Sequence, residues 1–169
     1  NHSGALASDD PEYIHQMRVA TRRLRAALRL FAPALPPGLR DSLRQPLAGL
    51  MRQLGEARDL DVLLGEIVAP VQAALPEEPR LAALAGEITN LRYGVRAAAL
   101  ATLAAPAYGR MLLAALQALH PETPPEDPEE ALEGFAARRL KHLTRRVRRL
   151  ASAANRDDPA SLHALRIGI

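Results

Sequence analysis

One histidine and four arginines, His15, Arg18, Arg22, Arg25 and Arg29, recur at intervals of three and four residues. On an α-helix that spacing gathers all five within an arc of roughly 80°. A guanidinium is a flat, permanently charged fork that meets phosphate oxygens two at a time, so such a row suits an extended polyanion. No acid occurs between Tyr13 and Arg40, so no ion pair with a neighbouring turn offsets the row. Like charges therefore repel over about 16 Å of helix from Arg18 to Arg29, a strain that an anionic partner relieves. His15 lies in line with the arginines and reads as a further donor to the same anion.

A second segment repeats the design. Arg138, Lys141, His142, Arg145, Arg148 and Arg149 share one side of a helix, with Ala136, Leu140, Leu143, Val147 and Leu150 on the other. It holds no acid from Gly134 to Arg156, and the six acids from Glu122 to Glu133 all precede that stretch, where they favour the helix N-terminus. Of the 22 basic residues, 21 are arginine and only Lys141 is lysine. Codon usage can produce that ratio, but it does not sort charge onto faces.

The run from Leu54 to Val62 sets Asp59 and Asp61 beside Arg58 and reads as an ion-pair cluster that orients this arginine. As a Mg²⁺ site it falls short of the three or more converging oxygens such a site uses. Arg92 and Arg96, four apart, either extend the basic surface or are ordinary solvated charges. Cysteine is absent, which excludes disulfides and thiolate metal sites, and the histidines lack metal-motif spacing. No cofactor and no metal are expected.

The elements that must position these rows are helical. Leu and Ala dominate the apolar residues, so the chain is expected to be all-α, without a sheet. Asp10 as N-cap and Pro11 at the first position start a helix over residues 9–31. A second stretch runs from about Arg40 to Val68; Pro46 suggests that regular helix starts near it, Gly55 allows a bend, and Pro70 and Pro76 end it. Further helices are expected from Pro79 to Leu103, Pro106 to Leu119 and Pro128 to Ala154, with an acidic, proline-rich surface linker over His120 to Pro128.

Asp157-Asp158-Pro159, with His163 and Arg166, copies Asp9-Asp10-Pro11, with His15 and Arg18, at a constant offset of 148 residues. Five identities and three aliphatic exchanges in eleven positions read as an internal duplication. Residues 1–156 are therefore expected to form a first helical bundle, and 157–169 the start of a second, incomplete unit.

His15-Gln16-Met17-Arg18-Val19, Arg22-Arg23-Leu24-Arg25, Leu54-Gly55 with Arg58-Asp59-Leu60-Asp61-Val62, and His163 to Ile167 resemble the CHAD family, the conserved histidine α-helical domain. The resemblance spans nearly the whole chain. It implies two pseudo-symmetric antiparallel helical bundles around a basic channel that binds inorganic polyphosphate, with the second bundle truncated here. His15, Arg18, Arg22, Arg25 and Arg29 carry over as the first copy of the stripe, and His163 and Arg166 as the second. With the residues read directly, the expected polyphosphate contacts also include Arg58, Arg138, Lys141, His142, Arg145 and Arg149.

Three other functions compete with polyphosphate binding. The same arginines suit a nucleic-acid backbone, but single-strand binders generally add aromatic stacking platforms, and this chain has five aromatic residues in all, Phe31, Phe135, Tyr13, Tyr93 and Tyr108. An enzyme cleaving phosphoanhydrides needs metal-binding carboxylates or a nucleophile beside the row, and neither row contains one. An interface for an acidic protein is the third. The longest uncharged apolar stretch, Ala97 to Ala107, is too short to span a bilayer, and no signal-peptide pattern opens the chain, so a cytoplasmic protein without a membrane partner is expected.

Overall fold

In a computed structural model that describes residues 2–120 and 128–168, every regular element is helical. The chain divides into two compact units, residues 1–120 and 121–169. The break in packing thus falls within the acidic, proline-rich segment, well before the repeated motif at Asp157; most of the expected linker, residues 121–127, lies outside the described residues.

The first unit comprises α1 (His2–Ala7), α2 (Pro11–Leu30), α3 (Leu39–Val62), α4 (Ala69–Ala74), α5 (Pro79–Ala104) and α6 (Pro106–Leu119). α2 begins as its residues dictate: the Asp10 side chain accepts from the Glu12 amide at 2.8 Å, with Pro11 at the first position. A 3₁₀ turn at Ala32–Ala34 and Gly38, whose φ of 78° is left-handed and favours glycine, reverse the chain into α3. α1 had no counterpart in the expected elements; it is one short helix, held by His2, whose ring stacks on Tyr108 at 5.6 Å and whose Nε2 lies 3.1 Å from the Leu103 carbonyl. Burial pushes the Tyr108 hydroxyl to a pKa above its ordinary value.

α3 corrects three expectations. It starts at Leu39, before Pro46, because Pro46 is exposed and forfeits only the bond its missing N–H would make, while buried Leu39 and Leu43 hold the first turns in place. It runs through Gly55 unbroken. It also continues past Val62 as a π-helical segment, Leu63–Val68, and into α4, so Pro70 does not end it. The wider π turn directly precedes Pro70 and accommodates a ring that would otherwise press on the carbonyl one turn back.

α3 is the central helix, packed between α2 and α5. Ile14 and Met17 of α2, Leu50, Leu54 and Ala57 of α3, and Ala99 and Leu103 of α5 form the main core, closed by Ala5 of α1. A second cluster, Leu28 with Leu39, Leu43 and Leu47, sits near the α2–α3 connection. Among the described residues no single helix is long and apolar enough to cross a membrane; α5 and α6 together have the length and composition but meet at 48°.

The second unit contains α7 (Pro128–Ala153) and α8 (Pro159–Gly168), packed on each other. Asp158 caps α8 as Asp10 caps α2, accepting from the amides of Ala160 at 3.0 Å and Ser161 at 3.2 Å. The duplicated sequence thus builds the same helix start twice.

Candidate basic groove

The side of α2 that faces the core is Ile14, Met17, Thr21 and Leu28, all buried. Leu24 and Phe31, expected on the core face, are 36% and 41% exposed, and Ala20 is exposed too. The apolar residues of α2 span more of its circumference than α3 can cover, and contact with α3 selects one edge of them. The arginine row therefore lies beside the packed face, over the seam between α2 and α3, rather than opposite it.

That rotation brings α3 into the site. His15, Arg18, Val19 and Arg22 of α2 line a cavity of about 260 Å³ with Arg58, Asp59 and Val62 of α3. Arg25, Leu28 and Arg29 line a second, of about 340 Å³, with Arg40, Arg44 and Leu47. The first cavity joins Arg58 to the α2 row, as expected. The second adds two arginines that sequence reasoning passed over. Their signal was present, since Arg40 and Arg44 are four residues apart and share a helix side, but a pair is too short to stand out as a row.

The two cavities differ in their acids. Arg18 Nη1 lies 3.3 Å from Asp59 Oδ1, and Arg58 Nη2 lies 3.6 Å from Glu66 Oε1. Both carboxylates are largely exposed, so each pair contributes at most about 1 kcal/mol and leaves the guanidinium available to a stronger anion. Among the described residues, Arg22, Arg25, Arg40 and Arg44 have no carboxylate within 4.0 Å. Gly55 has a packing role here: a Cβ at this position would stand 3.9 Å from Arg18 Nη1, so the glycine leaves the guanidinium its space.

Asp59 and Asp61 separate as their spacing dictates, because residues two apart on a helix point to opposite sides. Asp59 enters the groove, while Asp61 turns under it to accept from Arg92 Nε at 2.5 Å. Arg92 and Arg96 therefore do not extend the basic surface, which corrects that expectation. Arg92 Nη2 also donates to the Asp9 carbonyl at 3.3 Å, and Arg96, 3% exposed, donates from Nη2 to the Ser8 carbonyl at 2.6 Å and sets Nε 3.6 Å from Asp9 Oδ1. Two arginines of α5 thus grip the link that leads into the Asp10 cap, and so fix where α2 and its row begin.

In the second unit, Arg138, Lys141, His142, Arg145 and Arg149 are exposed along α7, and His163 and Arg166 are exposed on α8. Leu143, Val147 and Leu150 are half-buried as expected, but Leu140, at 65% exposed, is not; Arg139 takes a half-buried place instead. Among the described residues no three or more His, Asp or Glu side chains come together as a metal-binding group.

The family model described as the CHAD domain matches residues 1–169. The crystal structure of the CHAD domain from the plant Ricinus communis superposes with a TM-score of 0.67 at 32% identity, over 99% of this chain and 55% of that one. The chain spans about half the length of that structure. No curated protein matches it.

Proposed function

The chain belongs to the CHAD domain family, and from that premise we propose that it is a non-catalytic module that binds inorganic polyphosphate. The observation that carries the reading is the α2–α3 groove, where Arg22, Arg25, Arg40 and Arg44 stand without carboxylate partners among the described residues, beside His15, Arg18, Arg29 and Arg58. A flexible chain of phosphates fits such a groove because each unit brings oxygens to a guanidinium and none needs a base-shaped pocket. The exposed row on α7, Arg138, Lys141, His142, Arg145 and Arg149, and the pair His163 and Arg166 on α8 supply the same chemistry in the second unit.

Two features favour polyphosphate over a nucleic acid and holding over cleavage. Neither cavity is lined by Phe, Tyr or Trp, so bases would find no stacking platform there. The nearby acids Asp59 and Glu66 are engaged with arginines, which suits screening of the groove rather than assembly of a metal-dependent centre. A cytoplasmic setting accords with this reading.

The test is a titration of labelled polyphosphate, single-stranded RNA and duplex DNA across a range of salt, with phosphate release followed in added Mg²⁺. Polyphosphate is expected to bind tightest and without turnover. Five arginine contacts, counted as for a single-stranded polyanion, give a log–log salt slope of roughly −3, or about a hundredfold loss from 50 to 200 mM salt. RNA binding as tight as polyphosphate binding would overturn the reading.

A further inference from the structure

The two cavities along the α2–α3 seam carry different net charge. The one at the α2–α3 connection is lined by four arginines and no carboxylate, over a floor of Leu28 and Leu47 that are 7% and 2% exposed. Asp41, the acid nearest in sequence to Arg40 and Arg44, is exposed and forms no ion pair with either. The other cavity sets three arginines and His15 against Asp59, which already pairs with Arg18, and its Arg58 is shared with Glu66 outside the lining. The seam is also closed at one end only. Arg29 stands in the last turn of α2 and Arg40 in the first turn of α3, and beyond them the chain crosses between the helices through Ala32–Ala34 and Gly38.

We infer that the groove is directional: the Arg25–Arg29–Arg40–Arg44 cavity takes the terminal phosphate of a polyphosphate chain, and the His15–Arg18–Arg22–Arg58 cavity takes internal ones. The inference rests on the polyphosphate reading. A terminal phosphate, like a phosphomonoester, carries about −1.5 to −2 at neutral pH with a second pKa near 6, whereas an internal phosphate carries a single negative charge. The denser anion belongs with four cations that no acid in the lining offsets, at the end where a chain running along the seam has to stop. The single charge suits the cavity whose cations are already partly screened.

Two polyphosphate probes of equal length test this, one with free ends and one with both ends capped by an alkylamine as phosphoramidates. Affinities for each are measured at pH 7.5 and pH 5.5 for the unsubstituted chain, for Arg40→Gln/Arg44→Gln, and for Arg18→Gln/Arg22→Gln. All four positions are exposed or half-buried, and circular dichroism verifies that helicity is kept. The unsubstituted chain is expected to prefer free ends roughly fivefold at pH 7.5, the upper end for one added exposed ion pair. The preference shrinks at pH 5.5 as terminal phosphates gain a proton. Arg40→Gln/Arg44→Gln abolishes it while weakening the capped probe less than twofold, and Arg18→Gln/Arg22→Gln weakens both probes alike. Equal affinity for the two probes, or a preference that survives Arg40→Gln/Arg44→Gln, overturns the directional groove and leaves the polyphosphate reading standing. Failure to bind either probe overturns both.

Discussion

Replacing Arg92 by Met should destabilise the first unit more than any change to the groove itself. Asp61 is 4% exposed and Arg92 14%, their side chains meet at 2.5 Å, and Asp61 Oδ2 has no hydrogen-bond partner. Met fills much of the volume of the arginine stem but leaves the Asp61 carboxylate without its counter-ion. Removing one partner of a buried pair costs about 3–5 kcal/mol, because the survivor was desolvated on folding and keeps that penalty. Arg92 also holds the Asp9 carbonyl, so the link into α2 loosens at the same time. For a unit of 120 residues, a loss of about 3 kcal/mol lowers Tm by roughly 10 °C. Thermal and urea unfolding of the chain, followed by circular dichroism, read the effect. The double variant Arg92→Met/Asp61→Leu replaces the pair with apolar groups and should recover a large part of the loss, since no buried charge is then stranded. A Tm within 2 °C of the unsubstituted chain for Arg92→Met, or single effects that simply add in the double variant, would refute the argument that this pair is a buried, mutually dependent unit.

The groove makes its own predictions. Arg18→Ala/Arg22→Ala/Arg25→Ala should abolish most polyphosphate affinity and lower the salt slope by roughly 2, with helicity intact; unchanged binding would show that the seam is not the site. Asp59→Asn removes the one carboxylate that lines the groove and should tighten polyphosphate binding by up to about fivefold at low salt, given that unit charges about 4 Å apart interact by ~1 kcal/mol in water; weaker binding would instead assign Asp59 to the orientation of Arg18. Leu54→Ala, at a fully buried position of the main core, should cost about 2–5 kcal/mol in urea unfolding, and a cost under about 1 kcal/mol would contradict the central place given to α3.

Much of the site was legible because it depends on neighbours within a few turns. The row His15 to Arg29, the helix starts at Asp10 and Asp158 and the family resemblance all follow from local spacing and capping, which tertiary contacts did not alter. The helices from Pro79 and Pro106 were equally plain, with a proline at the start of each. What failed was any inference about which side of a helix meets which neighbour. The apolar residues of α2 allowed more than one orientation, and Leu24 and Phe31 were assigned inward when contact with α3 turned them out. Pro46 and Pro70 were read as helix boundaries from their backbone chemistry alone; packing at Leu39 and Leu43, and a π turn, outweighed it.

By itself the sequence determined that this chain is helical, that it carries cationic rows without acids between them, and that its start signal occurs twice, since periodicity and capping act within one segment. Only the tertiary structure decided that the first row overlies a seam, that Arg40 and Arg44 join it, and that Arg92 and Arg96 lie beneath as anchors. Those outcomes depend on contacts between residues 31 to 88 positions apart, such as Arg92 with Asp61 and Arg96 with Ser8, and the residue types alone give such contacts no address. An arginine on a helix is equally able to meet solvent, a ligand or a buried carboxylate, and the neighbouring helix settles which.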